Sequence, residues 1–194
     1  MFRPAVFLDR DGTVTREVGY VNHVDRLELL PASAAAIRRL NEAGVLAVLV
    51  TNQAGAARGY FPYELIEKVH ERLVELLAAE GAHLDGIYFC PHVAEGKVAP
   101  YNVECECRKP KTKMLKNAKR DLDVDLQSSF TVGDKITDVM MGHRVGAKGV
   151  FVLTGYGKGD LAYQSDQWTD QPDFVAADLG EAVDWILREM NRDG

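Results

Sequence analysis

Val6-Phe7-Leu8-Asp9-Arg10-Asp11-Gly12-Thr13, residues 6–13, carry the strongest signal in this chain. A short apolar run stops abruptly in two carboxylates flanking one residue, and Gly-Thr follows. Apolar runs that end in turn residues read as strands buried on both faces of a parallel sheet. In an extended chain residues i and i+2 point the same way, so Asp9 and Asp11 are expected to leave the carboxyl end of one strand on the same side. Gly12 lets the backbone turn tightly there. Two carboxylates that close need a cation or a shared proton.

The pattern recurs downstream. Residues 45–50 form a second apolar run, stopping in Thr51-Asn52-Gln53. Residues 86–90 are a short third strand, and residues 129–132 a fourth, stopping in Gly133-Asp134-Lys135. Residues 149–153 are a fifth. Helical spacings lie between them. Residues 33–43 place Ala34, Ile37, Leu40 and Ala43 on one face and stop at Gly44. Pro62 opens a long helix as a first-turn proline, running through Leu65, Ile66, Val69, Leu73, Leu76 and Leu77 to Glu80. Residues 112–122 and 136–145 continue the alternation, and Asp178 with Glu181 reads as a capping box for a last helix reaching about Met190. Strands alternating with helices imply an α/β fold, a Rossmann-like doubly wound parallel sheet whose ligand sits beyond the strands' carboxyl ends. The polar residues after strands one, two and four are therefore expected on one rim. Residues 15–30 have no clean period and read as a flap over the first strand end, with Gly19-Tyr20 at a turn. Gly155-Tyr156-Gly157-Lys158-Gly159 does not match a Walker loop and reads as a flexible loop.

A chain of 194 residues suits one domain, expected to span residues 1–194. Hydrophobic residues make up 46% and charged residues 27%, which argues against a disordered chain. The net charge of −6 argues against a nucleic-acid partner. No apolar run is long enough to span a membrane. Met1-Phe2-Arg3-Pro4 leads straight into the first strand without the basic and apolar segments of a signal peptide, so the cytoplasm is the expected compartment. There the three cysteines are expected to be reduced.

Three strand ends thus bring Asp9, Asp11, Thr51, Asn52 and Asp134 together, with the basic pair Arg108-Lys109 just before a helix. Several acids, a hydroxyl and a lysine around one point suit magnesium and a phosphate. Asp9 and Asp134 are the expected magnesium ligands, with the backbone carbonyl of Asp11. Lys109 and Thr51 are expected to hold phosphoryl oxygens. All three cysteines fall between residues 90 and 107, in an irregular stretch of about residues 90–110. Cys90-x-His92 and Cys105-x-Cys107 supply four zinc ligands, a closed set of structural type. Zinc would staple a loop lacking a core of its own and place Arg108-Lys109 directly after the last ligand.

Asp9-Arg10-Asp11-Gly12-Thr13, Thr51-Asn52-Gln53, a lysine before the fourth strand, and Gly133-Asp134-Lys135-Ile136-Thr137-Asp138 resemble the four motifs of the haloacid dehalogenase superfamily, in the same order. Cys90-Pro91-His92 and Cys105-Glu106-Cys107-Arg108-Lys109-Pro110 resemble its zinc-loop branch, that of the D-glycero-D-manno-heptose 1,7-bisphosphate 7-phosphatases and histidinol phosphatases. Val18-Gly19-Tyr20-Val21, Ala57-Arg58-Gly59 and Asp85-Gly86-Ile87-Tyr88 look like the heptose enzymes. The resemblance implies a magnesium-dependent phosphatase without a large cap domain. Asp9 would become an aspartyl phosphate, and Asp11 would protonate the leaving alcohol and then take a proton from water. It further implies substrate contacts from Arg10, Glu17, Val18, Gly19, Tyr20, Asn52, Gln53, Ala54, Arg108 and Lys135. The substrate would be a small phosphorylated sugar, a heptose 1,7-bisphosphate losing its 7-phosphate on the way to nucleotide-activated heptose, and the enzyme a monomer.

Histidinol phosphate remains an alternative substrate for the same machinery. A non-catalytic zinc-stapled binding module is an alternative of another class, and the intact acids and lysine speak against it. Asp138, one helical turn after Asp134, reads either as a support for the metal or as a first-turn acid. Arg58 reads either as a substrate contact or as an exposed loop residue. His23, His70, His83, His143, Trp168 and Trp185 suggest packing only.

Overall fold

The computed structural model describes residues 2–192. Met1, where the reading of the N-terminus begins, lies outside them, as do Asp193 and Gly194. Six parallel strands, β1 (Ala5–Leu8), β2 (Leu46–Asn52), β3 (Gly86–Cys90), β4 (Phe130–Gly133), β5 (Lys148–Val152) and β6 (Phe174–Ala176), form one sheet in the order β3-β2-β1-β4-β5-β6. Six helices cover it: α1 (Ser33–Glu42), α2 (Glu64–Ala79), α3 (Lys113–Leu122), α4 (Ile136–His143), α5 (Gly157–Gln164) and α6 (Leu179–Arg192).

Strand periodicity explains the two-sided burial. Val6 and Leu8 join an apolar cluster with Ala47 and Leu49, built from the inner faces of α1, α2 and α6 through Ile37, Leu73 and Ile186. The alternate residues Ala5 and Phe7 join Leu46, Val48 and Val50 in a second cluster against Met114, Leu115 and Met141 of α3 and α4. A strand that packs a helix layer on each side has no polar face, which is why residues 5–8 are apolar without alternation.

Strand order reverses direction between β1 and β4, the switch point at which such sheets bind ligands. Leu8 pairs with Leu49 on one side and Val132 on the other. The residues that follow in the three adjacent strands therefore reach one rim together. Asp9 prolongs the ladder, its N–H donating to the Val132 carbonyl at 3.0 Å.

The structure differs from the sequence-based expectation in several elements. Of residues 155–159, expected as a flexible loop, 157–159 open the helix α5, which runs to Gln164. Glycines at 157 and 159 give the helix poor intrinsic propensity, and tertiary contacts start it: a methyl on Gly157 would overlap the Val152 carbonyl. The edge strand β6 was not expected. It is three residues long and is defined by pairing with β5 from Val150 to Val152. Pro62 lies two residues before the start of α2 rather than in its first turn. Asp178 does accept the Glu181 N–H at 3.0 Å, but Glu181 reaches the N–H of Ala177, one residue earlier than a regular capping box.

No large cap domain is present among the described residues. Residues 9–32 hold one 3-10 turn, Val24–Arg26, and residues 53–63 hold no helix or strand. No helix among the described residues is long and apolar enough to cross a membrane.

Candidate active site

The rim at the switch point carries a compact charged cluster. Asp9 follows β1, Asp134 follows β4, and Asp138 lies in the first turn of α4. Carboxylate oxygens of all three lie within 4.8 Å of one another, and all three residues are buried. The ammonium of Lys109 is set among them. Its Nζ lies 2.8 Å from Asp9 Oδ1 and 2.6 Å from Asp138 Oδ1, and donates to the Val50 carbonyl at 3.2 Å. Those are the three acceptors an ammonium can use, so the lysine head is fixed. Burial opposes its charge, but Asp138 and Asp9 together raise the Lys109 pKa above its ordinary value. Asp138 is a first-turn acid of α4, and its carboxylate grips Lys109, a role neither reading named.

Three carboxylates face one ammonium, which leaves the cluster short of positive charge. Burial first, and the neighbouring Asp9 charge next, push the Asp134 carboxyl up to about 8. Asp134 Oδ2 accepts the Tyr156 N–H at 2.8 Å, but its Oδ1 is buried with no hydrogen-bond partner among the described residues. An orphaned carboxylate oxygen close to the carboxylates of Asp9 and Asp138 fits a hard divalent cation. A cation must displace the proton held by Asp134. Its affinity is therefore expected to fall below about pH 8, by about tenfold per pH unit, and to level off above. Calorimetry in buffers of different ionisation enthalpy would show the proton release, and a pH-independent affinity with no release would contradict it.

Asp11 sits apart from this cluster. Arg10 forks onto it, Nε to Oδ1 at 3.1 Å and Nη2 to Oδ2 at 2.8 Å. Gln53 Nε2 donates to Asp11 Oδ2 at 2.9 Å, and its Oε1 accepts from Arg10 Nη2 at 2.8 Å. Burial raises the Asp11 pKa, but Arg10 and Gln53 outweigh it and hold the carboxyl below the ordinary range. Behind Arg10, Nη1 lies 3.3 Å from His70 Nε2. Burial and the guanidinium push His70 down to about 3, so the ring is neutral and presents Nε2 as an acceptor.

A pocket of about 290 Å³ opens over both groups. It is lined by Asp9, Asp11, Thr51 and Lys109, by Asn52, Ala54 and Arg108, and by Glu17, Gly19, Tyr20 and Lys135. Asn52 Oδ1 accepts the Lys109 N–H at 3.0 Å, and Lys135 Nζ lies 4.7 Å over the Tyr156 ring. Tyr20 of the flap packs edge-on against Tyr60 with ring centroids 4.8 Å apart. Burial pushes the Glu17 carboxyl up, partly offset by the Gly19 N–H that it accepts.

Three residues expected at the substrate lie elsewhere. The Arg10 side chain is 1% exposed and turned inward to Asp11. Gln53 is buried in the same network. Val18 packs against the apolar core under the flap. The first two are drawn away by a buried carboxylate that needs donors, and the third by its aliphatic side chain. Conversely Arg58 and Thr137 line the pocket. The segment after β5 was missed as well. Thr154 Oγ1 donates to the Gly12 carbonyl at 2.6 Å, and a methyl on Gly155 or Gly12 would overlap the Asp134 carboxylate. The signal was available: β5 is parallel to the others, so Leu153-Thr154-Gly155 had to leave the sheet at the same rim.

Cys90, His92, Cys105 and Cys107 converge beside the pocket. Their sulfurs lie 3.0–3.4 Å apart, His92 Nδ1 is 3.3 Å from Cys107 Sγ, and no disulfide links them. The hydrogen bond between Cys107 and Cys90 lowers the Cys107 pKa and, with burial, raises that of Cys90. Three thiols and an imidazole around one point form a tetrahedral donor set of the structural zinc kind. The loop they close has little apolar support, namely Ala54, Ala57 and Val93 with Tyr101 against them.

Comparison with known proteins agrees with this geometry. The HAD-hydrolase-like family model matches residues 106–182. A D-glycero-D-manno-heptose-1,7-bisphosphate 7-phosphatase of Thermosynechococcus vestitus is 47% identical over 194 residues, covering 98% of each chain. The D-glycero-beta-D-manno-heptose-1,7-bisphosphate 7-phosphatase of Escherichia coli is 42% identical over 189 residues, covering 96% of this chain and 90% of its own. Among solved structures, the D,D-heptose 1,7-bisphosphate phosphatase of B. bronchiseptica, complexed with magnesium and phosphate, superposes with a TM-score of 0.84. It is 34% identical and covers 96% of this chain and 99% of its own.

Proposed function

The chain belongs to the D-glycero-D-manno-heptose-1,7-bisphosphate 7-phosphatase family of the haloacid dehalogenase superfamily, and on that premise we propose that it hydrolyses the 7-phosphate of a heptose 1,7-bisphosphate, leaving heptose 1-phosphate for nucleotide-activated heptose synthesis. The observation that carries the reading is the pairing of two differently prepared acids at the switch point: Asp9 beside Lys109 and the orphaned Asp134 oxygen, and Asp11 under a guanidinium.

Asp9 attacks phosphorus while the bond to the sugar oxygen breaks, giving an aspartyl phosphate. Asp11 gives its proton to the departing 7-oxygen. The free carboxyl is held low by Arg10; the negative charge of the phosphoryl group set against it acts the other way, so Asp11 takes up a proton from solvent as the ester binds. In the second half Asp11 takes a proton from water as the water oxygen bonds to phosphorus and the Asp9 ester opens. Thr51 would donate to the phosphoryl oxygens, and the Lys109 ammonium, held by Asp9, Asp138 and the Val50 carbonyl, would offset their charge. Asp9 and Asp134, with the Asp11 carbonyl, would hold magnesium, which neutralises charge on the transferring group. Cys90, His92, Cys105 and Cys107 would hold zinc as a staple. Glu17, Gly19, Tyr20, Asn52, Ala54, Arg58, Arg108 and Lys135 surround the rest of the sugar. Of these, Arg58, Arg108 and Lys135 suit a second phosphate.

We further propose a monomer working in the cytoplasm, with neither nucleic acid nor a membrane as partner; the acidic net charge supports the former exclusion. The test is kcat/KM for heptose 1,7-bisphosphate against histidinol phosphate with magnesium present. A ratio of about 10²-fold or more in favour of the heptose is expected. A ratio below one would transfer the assignment to the histidinol phosphatases, and hydrolysis of neither would remove it.

A further inference from the structure

Resting on that reading, we propose that Arg10, backed by His70 on α2, is a positioning residue that aims Asp11 at the leaving oxygen. An arginine 1% exposed beside a phosphate site is unexpected, because a guanidinium next to an anion pocket normally reaches the anion. This one turns away. Four of its polar contacts are accounted for: Asp11 Oδ1 at 3.1 Å, Asp11 Oδ2 at 2.8 Å, Gln53 Oε1 at 2.8 Å and His70 Nε2 at 3.3 Å.

The fork fixes the plane of the Asp11 carboxylate, since two parallel N–H groups meet its two oxygens. Gln53 closes the ring by donating to the same Oδ2 and, through the same amide, to Thr51 Oγ1 at 3.0 Å. The acid–base group and the hydroxyl at the phosphate are thereby held by one side chain. His70 fixes the far end of the guanidinium. Its own ring is buried and packs edge-on to Phe89 at 5.2 Å, so the reach of Arg10 is referred to α2 and β3 rather than to the loops of the rim. A short acid such as Asp11 has little reach to correct a misaimed backbone, and a displacement of about 1 Å is enough to cost on the order of 10²-fold.

The proton step makes this separable from a plain stabilising role. With heptose 1,7-bisphosphate the C7–O bond partner leaves as a poor alkoxide, and the proton from Asp11 must arrive as the P–O bond breaks. With p-nitrophenyl phosphate the phenolate departs without a proton. Phosphoenzyme formation, measured by rapid quench in single turnovers with magnesium present, is compared for Arg10→Met and His70→Leu. Arg10→Met is expected to slow formation from the heptose ester by about 10²-fold and from the aryl ester by no more than about threefold. His70→Leu is expected to show the same selectivity at about tenfold, and it decides the matter should Arg10→Met not fold. Equal loss on both esters, or loss on neither, would overturn the proposal. Failure of the unaltered protein to hydrolyse the heptose ester would instead strike the functional reading alone.

Discussion

Asp9→Asn is expected to lower turnover by on the order of 10⁴-fold or more while leaving the fold intact. The amide keeps the shape of the side chain and loses the nucleophile. What makes this substitution clean is the arrangement around Lys109. Its ammonium would keep Asp138 at 2.6 Å and the Val50 carbonyl at 3.2 Å, so the buried charge would not be left unpaired. The three-carboxylate cluster also loses one negative charge, which relieves the repulsion now raising the Asp134 pKa. The variant should therefore unfold at a temperature equal to or above that of the parent in the absence of divalent cation. It should form no covalent adduct in a rapid-quench experiment. Turnover within about tenfold of the parent would exclude Asp9 as the nucleophile.

The second large effect is expected from the zinc staple. Residues 91–112 connect β3 to α3 with almost no apolar core, so their order depends on the four donors. The loop also carries two of the site's cations, Arg108 and Lys109. Arg108 Nη1 donates to the His92 carbonyl at 3.3 Å, and the Lys109 N–H donates to Asn52 at 3.0 Å. Cys107→Ser, or removal of zinc by a chelator, is expected to cost on the order of 10²-fold in kcat/KM through misplacement of Lys109. The sheet would survive, because its two apolar clusters are built chiefly from strand and helix side chains, with Cys90, Cys105 and Cys107 at the margin of one of them, so far-ultraviolet dichroism should change little. Limited proteolysis should cut within residues 91–112 in the altered protein and not in the parent. A zinc-free protein with full kcat/KM and a protected loop would contradict the coupling of staple to site.

Much of this site was legible from strand ends. Asp9, Thr51 and Asp134 each follow an apolar run, and a parallel sheet sends all such ends to one rim, so their meeting followed from periodicity alone. The cysteine and histidine spacings were equally readable, because metal ligands leave a local pattern. Arg10 was not. The family resemblance suggested the substrate, whereas the side chain answers the need of Asp11 for donors, a need visible only once Gln53 and His70 are brought in from the end of β2 and from α2. Nor was α5 legible, since its glycines oppose a helix and only contact with Val152 and Asp134 sets its start. His70 had no motif at all; an isolated histidine on the apolar face of a helix looks the same whether it packs or accepts a buried hydrogen bond.

The claim at the centre of this account is double displacement through Asp9. Hydrolysis of an isotopically chiral phosphate ester of the heptose tests it without requiring the intermediate to accumulate. Two in-line displacements, first by Asp9 and then by water, predict overall retention of configuration at phosphorus. Inversion would mean that water attacks the ester directly, and would contradict the mechanism.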